Sequence, residues 1–133
     1  MADLLVDLAV YLDAQTTWTQ ATDLFVGDLP PSPDAVTVLY EYAGGEPRET
    51  MGADSSPAIV NPRVQVVTRA ATYPDARARA LLAYQKLVLI ANETVNSTYY
   101  ARVVPVQEPF FLARDESERV LFAFNADVLR AAE

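Results

Sequence analysis

The sequence predicts an α+β fold, a mostly antiparallel (mixed) β-sheet with two α-helices packed on one face and a C-terminal β-hairpin. Three observations carry this expectation. Apolar residues recur at helical spacing in two stretches. Most of the remaining chain is short runs rich in β-branched and aromatic residues, cut by proline and glycine. The last third contains two strand-like runs around a short acidic turn, the pattern of a hairpin. The element order is α, β, β, β, α, β, β, β, and strands grouped with two helices suit a layered α+β arrangement.

Residues 2–14 read as the first helix. Leu4, Leu5, Leu8, Tyr11 and Leu12 share one face, and Asp3 and Asp7 are expected on the other, in the first turns, where the helix dipole favours negative charge. Asp23–Gly27 is a short apolar run closed by glycine. Pro30, Pro31 and Pro33 exclude a helix interior or a central strand, so Leu29–Asp34 is expected as an extended turn. Val36–Tyr42 is a strand with Val36, Val38, Tyr40 and Tyr42 on one face. Gly44–Pro57 shows no period and reads as a long polar loop, a type that is usually functional or disordered until bound. Val60–Ala70 returns to strand, with Val64, Val66 and Thr68 alternating against Arg63, Gln65, Val67 and Arg69.

Tyr73-Pro74-Asp75 opens a second helix expected to run to about Asn92, with Pro74 in its first turn. Asp75, Arg79, Lys86 and Glu93 form a narrow polar stripe, while Leu81–Tyr84 and Leu87–Ala91 are apolar nearly all round. Such a wide apolar face implies either that the sheet wraps it or that another subunit covers the remainder. Tyr99–Val104 is a strand stopped by Pro105. Pro109–Arg114 leads into the turn Asp115–Glu118, and Arg119–Leu129 returns with Val120, Phe122, Phe124, Ala126 and Val128 on one face.

The chain has 133 residues, which fits one domain spanning 1–133. Its hydrophobic fraction of 51% and charged fraction of 21% are those of a globular chain. No run reaches the ~18 apolar residues of a membrane span, and the first residues lack the basic region of a signal peptide, so a cytoplasmic site of synthesis is expected. Cysteine and histidine are both absent, which excludes thiol chemistry and removes the commonest general base and transition-metal ligand. The net charge of −8 disfavours nucleic-acid binding. An enzyme would have to rely on carboxylates or lysine.

Motifs for chemistry are missing. No phosphate-binding glycine loop, dinucleotide fingerprint or nucleophile elbow occurs. Asp115, Glu116 and Glu118 lack the spacing of a calcium loop and read as a solvated turn. Glu46, Glu49 and Asp54 could supply a carboxylate pair, but a long loop is a poor mount for one. Asn92-Glu93-Thr94 and Asn96-Ser97-Thr98 match a glycosylation pattern by chance. Trp18 and the set Tyr99, Tyr100, Phe110 and Phe111 are expected in core or interface packing.

Several fragments, taken in order, carry a resemblance. Asp23–Asp34 is followed by Val36–Gly45, then Pro62–Arg69 and Tyr73–Ala76, then Gln107–Glu116 with Arg119–Asn125. From about residue 3 to residue 130 the series resembles the tail-terminator and minor capsid (head–tail joining) proteins of siphophages. The resemblance implies a structural virion protein without catalytic residues or cofactors. Such proteins form a ring, usually six-fold, at the head-proximal end of the tail tube. The ring stops tube polymerisation and joins the tail to the head connector or stopper protein. DNA passes through its centre without specific binding. A head-completion or stopper protein, and a small carboxylate-based enzyme, are the alternative readings. On the leading one, Glu46, Arg48, Glu49 and Asp54 of the long loop and Tyr84, Val88 and Leu89 of the second helix are the candidate interface or lumen residues. An acidic lumen would let DNA slide without sticking.

Overall fold

The computed structural model describes residues 3–42 and 59–131. Helix α1 (Leu4–Gln15) starts where the Asp3 carboxylate accepts hydrogen bonds from the N–H groups of Leu5 and Val6, at 3.0 and 3.2 Å. It ends at Thr16, whose hydroxyl donates to the Leu12 carbonyl. Strands β1 (Leu24–Val26) and β2 (Val36–Tyr42) run parallel to each other. They are followed by β3 (Ile59–Val60) and β4 (Arg63–Ala70). Helix α2 (Tyr73–Leu87) is capped by Thr72 and carries Pro74 in its first turn. The chain closes with β5 (Ala91–Val95), β6 (Thr98–Pro105), β7 (Phe110–Arg114) and β8 (Val120–Ala131).

The strands form a single mixed sheet in the order β1-β2-β4-β8-β6-β5. Strand β8 is its spine. Along one side it pairs with β3 and β4, and along the other with β7 and then β6. Because side chains alternate across a strand, the pairing sorts residues into two faces. Leu39, Val66 and Phe124 lie abreast and face the helices, with Val64, Ala126, Val128, Val103 and Tyr100 extending that layer. Leu4, Leu8 and Leu12 of α1 and Ala83 and Leu87 of α2 pack onto it. Toward the start of α2, Ala76 and Ala80 lie against Ala70, Val120 and Phe122. These small side chains let the helix backbone come close to the sheet, and Thr68 donates from its hydroxyl to the Ala76 carbonyl at 3.1 Å.

The opposite face is covered by the proline-rich segment. Gly27 turns the chain at φ +83° and donates its N–H to the Leu39 carbonyl. Residues 28–35 then cross the sheet as a strap, and Leu29 packs with Tyr40 and Phe110 against Val67, Leu121 and Ala123. Proline cannot donate to a ladder, so the strap's carbonyls need donors from elsewhere. Two arginines supply them. Arg69, which is 2% exposed, donates to the carbonyls of Pro33 and Asp34, and Arg119 donates to that of Pro31.

Three sequence expectations are corrected. The second helix stops at Leu87, not near Asn92. Val88 caps it, Ile90 turns into the core, and Ala91–Val95 forms an edge strand paired with β6. Asn96 and Ser97, at φ +48° and +71°, make the two-residue turn of that hairpin. Asp7 is 1% exposed instead of lying on the solvent side of α1. Arg79 is no member of a solvated stripe, for its side chain is only 12% exposed.

Candidate assembly interface

The structure uses most of its well-placed polar side chains to brace its own frame. Arg79 joins three elements. Its Nε donates to the Thr37 hydroxyl at 2.7 Å, its Nη2 donates to the Asp23 carbonyl at 2.8 Å and meets the Asp23 carboxylate at 3.3 Å, and its guanidinium lies 4.3 Å above the Trp18 ring. Burial pulls this guanidinium below its ordinary pKa, and Asp23 pushes back. Asp7 ties α1 to the β5–β6 hairpin. It accepts from the Tyr100 hydroxyl at 2.7 Å and from the Asn96 amide at 3.0 Å. Burial, followed by the hydrogen bond to Asp7 and its charge, pushes the Tyr100 phenol far above the usual range.

The acidic hairpin tip is equally self-contained. The Asp115 carboxylate accepts from the N–H groups of Ser117 and Arg119 and from the Arg119 guanidinium, at 3.0, 2.9 and 2.7 Å. Desolvation works against its charged form, but these donors outweigh it and hold the carboxyl below its usual pKa. A shallow depression of about 440 Å³ opens between the strap and this tip, over Leu29, Pro31, Arg69, Asp115 and Arg119. Both of its arginines are already engaged with strap carbonyls, and Arg119 also with Asp115 and Asp34. Among the described residues no group of three or more Asp and Glu is placed to hold a metal ion. No helix of the described residues is long and apolar enough to cross a membrane.

Of the residues expected at interfaces, Leu89 is 65% exposed and stands just beyond the end of α2. Val88 and Tyr84 are partly buried, and the Tyr84 ring meets Phe124 edge-on at 5.5 Å. The wide apolar run at the end of the helix is thus largely absorbed by the fold, because Leu87 and Ile90 enter the core. Glu46, Arg48, Glu49 and Asp54 lie outside the described residues.

A different apolar surface emerges at the β7 edge. Phe111 and Leu112 are 45% and 43% exposed, and Tyr73 at the start of α2 is 46% exposed. Tyr73 stacks on Phe111 with ring centres 6.1 Å apart, and both rings lean on Phe122. Sequence reasoning placed Phe111 in packing but did not join it to Tyr73, 38 positions away. The available signal was two adjacent phenylalanines in one strand, whose side chains must point to opposite faces.

A small α+β scaffold whose charged groups brace its own frame, with an apolar patch of Tyr73, Phe111 and Leu112 at one sheet edge, fits the class of structural subunits. The family is specific: the model of the bacteriophage tail terminator proteins matches residues 11–129, and the chain belongs to that family. It is therefore a structural protein of the phage tail and a component of the virion. A solved structure is similar over 100% of this chain and 99% of that chain, with a TM-score of 0.50 at 14% identity. That likeness concerns the fold alone. No curated protein matches the sequence.

Proposed function

We propose that the chain acts as one 133-residue unit in a homomeric ring, six-fold by the family resemblance, seated on the head-proximal end of a siphophage tail tube. There it stops tube polymerisation and offers the surface to which the head connector or stopper protein docks. The single observation that supports this most is the tail-terminator match across residues 11–129. The action is one of shape and contact, needs no cofactor and turns over no substrate.

Ring subunits meet through two different surfaces that must close on themselves. Leu89, with Tyr84 and Val88 beside it, is proposed for one of these contacts. Glu46, Glu49 and Asp54, with Arg48 among them, are proposed to face the lumen. A ring multiplies the chain's net charge of −8, and a lumen of that sign keeps phosphates from binding. The test is to add the purified protein to polymerising tail-tube protein and view the mixture by negative-stain microscopy. Short tubes capped at one end by a ring are expected. Tubes that lengthen as they do without the protein would refute the proposal.

A further inference from the structure

Strand β7 lies at an open edge of the sheet. Its inner edge pairs with Val120–Ala123 of β8, and no described strand lies against the other. Tyr73 and Phe111, whose rings stack, and Leu112, the next residue along the strand, are each close to half exposed there. Glu108 precedes the strand and Arg114 ends it. Both are exposed, and neither forms an ion pair among the described residues. The position of Glu108 is set by its neighbours. The Val106 N–H donates to the Asn125 carbonyl at 2.8 Å, and Gln107 accepts from the Asn125 N–H at 3.0 Å.

From entry to exit the segment therefore presents an anion, an apolar centre and a cation. Counted along the chain, an antiparallel copy centred on Phe111 sets Glu108 of each chain near Arg114 of the other through side chains alone, without ladder hydrogen bonds, and brings the two apolar centres together. Pro109 has no N–H to donate, and the register shift between Phe111 and Ala113 breaks the regular edge. Open-ended strand addition is thereby discouraged, while side-chain contact remains open. We infer that β7 with Tyr73 is a self-association surface that joins two copies of this chain across a two-fold axis, Glu108 facing Arg114 twice. Two acidic molecules repel at a distance, so the paired charges serve to orient the encounter. Eight residues a side, Tyr73 and Glu108–Arg114, are few against the ~800 Å² per partner of a standard interface, which makes the dimer weak and reversible. It shields the aromatic patch while the subunit is off the tail, and it stands independently of the ring proposal.

The experiment is sedimentation velocity of the full chain over a concentration series in about 50 mM salt, where surface charges are least screened. The wild type is expected to pass from monomer to dimer as concentration rises. Arg114→Glu sets glutamates against each other at both ends and should raise the dissociation constant on the order of tenfold or more. The double variant Glu108→Arg with Arg114→Glu reverses both charges and should restore the wild-type constant. An equimolar mixture of the two single variants should form a heterodimer. Circular dichroism checks that each exposed-site variant is folded. A wild type that stays monomeric to about 1 mM, an Arg114→Glu protein that dimerises unchanged, or a folded double variant without rescue would each overturn the inference. Tube capping, scored on the same samples, separates the readings. Normal dimers that fail to cap tubes count against the ring and not against this surface.

Discussion

Replacing Arg79 with alanine tests whether one buried guanidinium holds α2 in place. The substitution removes charge-assisted hydrogen bonds of 2.7 and 2.8 Å, an ion pair at 3.3 Å and a cation–π contact at 4.3 Å. A hydrogen bond to a charged group contributes roughly 1.5–3 kcal/mol, and a desolvated cation–π contact up to about 2 kcal/mol. These terms share one group and do not add. Losing one partner of a largely buried pair typically costs about 3–5 kcal/mol. Asp23 keeps some access to water, its side chain being 26% exposed, so the lower end applies, about 3 kcal/mol. With a urea slope of roughly 2 kcal/mol per molar, the unfolding midpoint should fall by about 1.5 M. Arg79→Lys keeps the charge but not the fork that reaches Thr37 and Asp23 together, and should recover less than half of the loss. Arg77→Ala, at an exposed site on the same helix, should stay within about 0.5 kcal/mol of wild type. If Arg79→Ala and Arg77→Ala unfold at the same urea concentration, the bracing argument is wrong.

Three further outcomes follow from the same reasoning. The Tyr100 phenol is held neutral, so its contribution to stability is complete below pH 10, the ordinary tyrosine value, and is lost as the pH rises beyond it. Absorbance titration should show Tyr100 ionising only as the protein unfolds, and Tyr100→Phe, which leaves Asp7 short of one donor, should lower stability by about 1–3 kcal/mol. The Asp115 carboxyl titrates below its ordinary value, so the stability it supplies is present above about pH 4 and fades as pH falls through its own lower pKa. Asp115→Asn should flatten that acid limb, and an NMR titration placing Asp115 at or above the ordinary value would sink the point. Leu89→Ser should leave the urea midpoint within measurement error, since the side chain is 65% exposed, and should weaken capping if the end of α2 is a ring contact.

Much of the architecture was legible in the residues because it rests on local signals. The heptad-like run Leu4–Leu12 marked α1, the prolines at 30, 31 and 33 marked the strap, and the alternation in 63–70 and 120–128 marked β4 and β8. What escaped depends on residues far away in sequence. Nothing near Asp7 indicates that Asn96 and Tyr100 will meet its carboxylate, and nothing near Arg79 announces Trp18 and Thr37. Spacing alone put both side chains in water. The overrun of α2 has another cause. Leu87–Ala91 is apolar on all sides and suits helix or strand equally, and the deciding signal was the Asn96-Ser97 turn, which pairs the following strand back on β5. The exposed apolar residues of the β7 edge were the least legible, because exposure there depends on which strand ends up outermost.

The spine has a kinetic consequence. Strand β8 is made after every strand it joins, and it supplies the partner for β3, β4, β6 and β7 alike. Until Val120–Ala131 leaves the ribosome, β4 lacks one neighbour and β6 has only β5. Pairings this distant form late and slowly. A product of translation interrupted before Val120 therefore has no seam along which to zip its halves together, and only a chain carrying β8 can complete the sheet.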